Sequence, residues 1–312
     1  MKKIIITILI LITILVLFFV FTKNDKAENN QASKVKVAAT IFPLYDLVRS
    51  IGGEKVEAII ILPPGASPHT YEVSPAKVKE TQDINLLFTI GAGVDSWAEK
   101  LIQEDDVRVV SLEESVSLKP FKVQGHDNED EHEDEHEHEH EYGDLDPHYW
   151  LSPNNAILMV QKISIELSLL DPENSHYYLR NADNFISELE VKNAEWEDKI
   201  SKLNRKELVV FHDAWGYFAD YFGLEIVATF EPFPGKTPTP QYLIKLQEEV
   251  KENNINSLFV EPQLSKEAIS TLAQDLGVEV AILDPIGGLA ERDNYLDLIS
   301  YNVNNIYNAL NK

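Results

Sequence analysis

Short runs of consecutive apolar residues alternate along the chain with longer stretches whose apolar residues recur every three or four positions. The runs Val35–Ala39, Val56–Leu62, Ile84–Ile90 and Val107–Val110 predict strands, with amphipathic helices between them. A second block repeats the pattern, with strands predicted at Glu207–Phe211, Leu224–Ala228, Ser257–Val260 and Val278–Leu283. Strands that alternate with helices imply mostly parallel sheets covered by helices. Between the two blocks, Tyr177, Leu179, Phe185, Leu189, Val191, Trp196 and Ile200 fall near helical spacing with no internal Gly or Pro. One long helix over 172–204 is expected; about thirty residues extend roughly 45 Å, a stiff connector rather than a bending hinge. The predicted fold class is α/β: two βα sandwich lobes, 34–171 and 205–312, joined by that one rigid helix.

The first 33 residues follow a different rule. Lys2 and Lys3 precede an apolar run from Ile4 to Phe21 broken only by Thr7 and Thr13, long enough as a helix to enter a bilayer. An uncleaved membrane anchor is the preferred reading and a cleaved signal segment the other. Either way the paired lysines stay on the cytoplasmic side and the body is exported; with the anchor uncleaved it is tethered to the outer face of the cell membrane. Thr22 to Ser33 is polar and aperiodic, the composition of a tether.

Charge and composition narrow the chemistry. The 312 residues carry a formal net charge of -25, which disfavours nucleic acid as a partner and favours cations. Cysteine is absent, so disulfides, thiolate metal sites and a lipid-modified N-terminal cysteine are excluded, and any metal must be held by nitrogen and oxygen. The stretch 125–146 holds five of the nine histidines, alternating with acidic residues and with no lysine or arginine. It has almost no apolar content and is expected to be a disordered insert in the first lobe. It reads either as a solvated acidic loop or as a weak, changeable collector of divalent metal.

Three of the remaining histidines fall where strands present loops, the place where ligands gather in open α/β sheets. His69 lies in a loop stiffened by Pro63, Pro64 and Pro68, directly after a predicted strand. His148 follows Asp146, which could orient its imidazole through the second ring nitrogen. His212 comes after the apolar run Leu208–Phe211, and Asp284 closes the last predicted strand, with Glu261 a similar candidate at the end of another. Each has an ordinary alternative: a surface histidine, a histidine bonded to Asp146 without metal, a core or capping histidine, a turn aspartate. His176, on the long helix, reads as a packing or surface residue. Taken together, His69, His148, His212 and Asp284 would place one ion in the cleft between the lobes. Three imidazoles with one carboxylate suit tetrahedral Zn²⁺, with Mn²⁺ second because it prefers more oxygen.

These residues sit in Pro-Gly-Ala-Ser-Pro-His-Thr-Tyr-Glu at His69, Asp-Pro-His-Tyr-Trp-Leu at His148, Phe-His-Asp-Ala-Trp-Gly-Tyr-Phe at His212, Val-Glu-Pro-Gln at Glu261 and Leu-Asp-Pro at Asp284. With those motifs the chain resembles the metal-binding class of ABC-transporter solute-binding proteins, specifically the zinc branch, from about Val35 to the C-terminus. The resemblance implies ligands at His69, His148 and His212, and at Asp284 only as in some members. A histidine at 212, where manganese-binding relatives carry glutamate, points to zinc, as does the His-rich insert. It also implies zinc as a transported ligand and an ABC permease as partner, without catalysis; a monomer is the separate expectation. A zinc hydrolase is disfavoured because no His-Glu-x-x-His spacing occurs and a fourth protein ligand would block the water position. A surface adhesin with a structural zinc site is the other alternative.

Overall fold

The computed structural model describes residues 34–102, 107–121, 145–231, 239–263 and 267–312. The expected anchor and tether, and the acidic insert up to residue 144, lie outside the described residues. No helix among the described residues is long and apolar enough to cross a membrane.

From Val35 onward the chain forms one compact unit. It opens with β1 (Val35–Ala39), α1 (Phe42–Gly52), β2 (Val56–Ile60), α2 (Pro75–Glu80), β3 (Leu86–Thr89) and β4 (Arg108–Ser111). These four strands make a wholly parallel sheet in the order β2-β1-β3-β4. After the insert come α3 (Pro153–Leu170) and α4 (Ser175–Ser201). The second lobe contains β5 (Glu207–His212), α5 (Gly216–Phe222), β6 (Glu225–Glu231), α6 (Pro240–Glu252), β7 (Ser257–Val260), α7 (Glu267–Leu276), β8 (Glu279–Ile282) and α8 (Tyr295–Leu310). Its sheet is again parallel, in the order β6-β5-β7-β8. Two parallel four-stranded sheets flanked by helices and linked by a long helix are what the alternating pattern predicts.

α4 runs 27 residues and buries Tyr178, Ala182, Phe185, Leu189, Trp196 and Ile200, one stripe at spacings of three, four and seven. Leu179 and Val191, counted in the apolar pattern, lie off that stripe and are exposed. α4 packs on α1 and α3 of the first lobe and on α8, the last helix of the second.

The alternation in β5 shows how the lobes meet. Leu208 and Val210 point into a core shared with the first lobe, whereas Val209 and Phe211 point into a separate cluster under α6 and α7. Side chains repeat every second residue along a strand, so His212 emerges on the same face as Leu208 and Val210. That face looks toward the first lobe.

Candidate metal centre

Each of the three expected histidines is held by a different local device. His69 occupies a short 3₁₀ turn, Pro68–Thr70, reached through Gly65, whose φ of +81° lets the chain reverse. Buried Trp97 pins the turn by donating its indole N–H to the Pro68 carbonyl at 2.9 Å. His148 follows the closure of the insert, where Asp146 N–H donates to the Lys119 carbonyl at 2.8 Å. One Asp146 oxygen, Oδ1, then accepts the His148 backbone N–H at 2.9 Å and lies 2.8 Å from His148 Nδ1. The proton on Nδ1 is thereby fixed, leaving the Nε2 lone pair for a ligand. Immediately beyond, Tyr149 donates to the Ile90 carbonyl and Trp150 to the Pro285 carbonyl, both at 2.7 Å, locking the loop to both lobes.

His212 ends β5, and its partner is dictated by register. β5 pairs with β7 so that Val210 sits opposite Phe259; two residues further on, His212 comes level with Glu261. Glu261 Oε1 lies 2.6 Å from His212 Nδ1, a close charge contact whose angle departs from that of a hydrogen bond. The same oxygen accepts from Trp215 Nε1 at 3.3 Å. His148 and His212 therefore each carry a buried carboxylate behind the ring, the arrangement that orients metal-bound imidazoles.

The three rings converge. Their centroids are 5.3, 5.5 and 5.3 Å apart, and one nitrogen from each lies within 4.8 Å of the others. His69 Nε2 and His148 Nε2 are separated by 3.2 Å. A tetrahedral ion with Zn–N bonds of about 2.0–2.1 Å sets its ligand nitrogens about 3.3 Å apart, so this spacing already approaches a coordination edge. His212 Nε2 is buried with no hydrogen-bond partner among the described residues, a cost that an ion would remove.

Electrostatics agree with the geometry. Burial holds the His69 and His148 imidazoles well below the ordinary histidine range, and neighbouring imidazoles push the same way, keeping both neutral and able to ligate. At His212 burial acts downward and is the largest single cause, but the Glu261 carboxylate together with Asp213 and Asp146 makes the net shift upward. Burial pushes the Asp146 carboxyl up to about 7.

Asp284 does not join this cluster. Its carboxylate is fully buried and fully engaged: Oδ1 accepts from Ile286 N, Gly287 N and Gln263 Nε2, and Oδ2 accepts from Arg292 Nε at 2.5 Å. The expected fourth ligand is thus committed to an internal ion pair. Glu261 lines the pocket with its Oε1 against His212 Nδ1, and His176 lies exposed on α4. Two residues that pattern reading missed shape the pocket instead. Gln263 lines it beside the histidines, and Arg292, eight residues beyond Asp284, holds that carboxylate. Nothing in local spacing distinguishes a ligating strand-end aspartate from one claimed by a distant arginine.

A buried cluster of imidazoles between two parallel α/β lobes joined by a long helix defines a metal-binding protein of the two-lobed, helix-linked class. The chain belongs to the ZnuA family, zinc-uptake complex component A, periplasmic, whose pattern it matches over residues 37–309. It is 28% identical to the high-affinity zinc uptake system protein ZnuA of Bacillus subtilis (strain 168), over 91% of this chain and 90% of that one. It is also 27% identical to the manganese ABC transporter substrate-binding lipoprotein PsaA of Streptococcus pneumoniae serotype 4, covering 96% and 98% of the two chains. A crystal structure of ZnuA superposes with a TM-score of 0.77 at 27% identity, covering 89% of this chain and all of the other.

Proposed function

We propose that this protein is the extracytoplasmic binding component of a zinc uptake system, which captures Zn²⁺ with His69, His148 and His212 and delivers it to an ABC-type membrane permease. The observation that carries this reading is the convergence of three imidazoles, two buried and one half-buried, two of them neutral and two backed by carboxylates, at one point between the lobes. The ion is cargo, so no chemical step is required of the residues. They bind it, exclude water and fix the ring orientations.

Zinc is favoured over manganese by the donor set. Asp284 is engaged at both oxygens, chiefly by Arg292, and Glu261 turns one oxygen to His212. What remains is nitrogen-rich, suited to Zn²⁺ rather than to an ion that seeks oxygen. The manganese reading is kept as the alternative because of the similarity to a protein named as a manganese-binding component. Export of the body, and its retention at the membrane by the N-terminal apolar segment, belong to the same proposal.

The test is titration of the chain with Zn²⁺ and Mn²⁺, alongside His69→Ala and His212→Ala. One tight zinc site preferred over manganese is expected. Each substitution should weaken it more than about 100-fold, since changes merely behind a ligand cost about 10- to 100-fold. Retention of the tight site in both variants would overturn the assignment.

A further inference from the structure

Three imidazoles fill three corners of a tetrahedron and leave a fourth position. Asp284 does not supply it, and Glu261 turns one oxygen toward His212 and Trp215. Gln263 lines the pocket beside the histidines and Glu261. One end of its amide lies 2.7 Å from Asp284 Oδ1. Asp284 is ion-paired with Arg292, so its carboxylate only accepts, and the amide atom facing it must be the nitrogen. The carboxamide oxygen is therefore the other atom, and it is buried without a hydrogen-bond partner among the described residues. A buried, unsatisfied carbonyl oxygen in the wall of a cation pocket calls for a cation, or for water bound to one.

We infer that Gln263 addresses the fourth position of the bound ion through its carboxamide oxygen, supplying a neutral oxygen where a carboxylate would otherwise stand. The residues behind it are positioning residues. Arg292 is stacked over the Tyr301 ring at 4.3 Å and holds Asp284 Oδ2. Asn302 grips the Asp284 backbone from both sides, accepting from its N–H and donating to its carbonyl, each at 2.8 Å. Asp284 in turn holds the Gln263 nitrogen, so the oxygen cannot flip away without breaking a charge-assisted bond. A neutral oxygen adds no negative charge to a site that already has Asp146 and Glu261 behind two of its imidazoles. This inference deepens the three-imidazole reading and rests on it.

The test uses the full-length chain, titrated with zinc against a chelating dye so that only the tight site is read. The variants are Gln263→Met, which keeps length but removes the oxygen, and His212→Ala. Gln263→Met is expected to weaken zinc binding about 10- to 100-fold while unfolding cooperatively, the range for removing groups that support a bound metal. The visible absorption bands of its Co²⁺-loaded form should also shift from those of the parent. Should Gln263→Met not fold, Gln263→Asn, which withdraws the amide by one methylene, is expected to show the same loss. Binding within about twofold of the parent, far below that range, with superimposable cobalt bands would overturn the assignment of Gln263. Loss of the site in His212→Ala with retention in the Gln263 variants refutes this inference alone, whereas retention in His212→Ala refutes the imidazole reading beneath it.

Discussion

A metal-bound imidazole needs a lone pair on one nitrogen and a proton held on the other; the buried carboxylate of Asp146 meets that need at His148, and Glu261 lies in close charge contact behind His212. The protonation states predict how binding responds to pH. His69 and His148 lie well below the ordinary histidine range, so they are already neutral and have no proton to lose near neutrality. His212 is shifted upward and Asp146 lies near about 7, so at pH 6 both hold protons that a cation must displace. Zinc affinity should therefore rise between pH 6 and pH 8, with more protons released at the lower pH than at the higher. Calorimetry in buffers of different ionisation heat measures that release directly; none at pH 6 would contradict the assignment of these two groups. At this scale the convergence of the three histidines was legible because each follows a strand end or a stiffened loop. Asp284 has the same signature, yet its carboxylate pairs with Arg292, and an arginine that folds back across a glycine-containing turn leaves no mark in strand periodicity.

At the scale of elements, the loops that carry the site depend on how closely helices and turns approach. Gly288, in the turn after Asp284, has φ of +78°, and a methyl group there would meet the Phe42 ring at 2.9 Å. Gly65, before His69, has φ of +81° but nothing within 4 Å. The two positions separate backbone strain from crowding. Gly65→Ala should cost about 1–2 kcal/mol from the left-handed conformation alone. Gly288→Ala adds an overpacking penalty of about 1–3 kcal/mol because Phe42 is buried at the start of α1, for a total of about 2–5 kcal/mol. Urea unfolding of both variants checks the difference, and equal losses would mean that the Phe42 contact carries no weight. Elements themselves were legible because buried parallel strands read as apolar runs and α4 as a long periodic stretch without breakers. Their edges were not. Ile61 and Leu62 continue the apolar run past β2 but bond to Ala39 and Thr40 as the chain leaves the sheet, and His212 belongs to β5 rather than following it.

For the whole molecule the decisive feature is that the lobes are not independent. The core around the first sheet and α1, α3, α4 and α8 continues onto one face of the second sheet through Leu208, Val210 and Phe259. Hydrogen bonds stitch the same seam: Tyr295 N–H donates to Asp46 Oδ2 at 2.8 Å, Tyr295 O–H to the Trp150 carbonyl at 2.7 Å, and Trp196 Nε1 to Ser300 Oγ at 3.0 Å. Opening the cleft by a hinge would expose that core and break those bonds, so capture of the ion should draw the site loops together with little movement of the lobes. Such a body unfolds as one unit, and a ligand that binds only the folded state stabilises all of it. With free zinc at about 100 times its dissociation constant, stabilisation is about 2.7 kcal/mol, which for a chain of this size raises the melting temperature by about 5–10 °C. A single thermal transition that moves upward by that amount in the parent and stays fixed in His212→Ala is the expected result. Two transitions, only one of them responding to zinc, would mean that the lobes melt separately and that the shared core does not couple them.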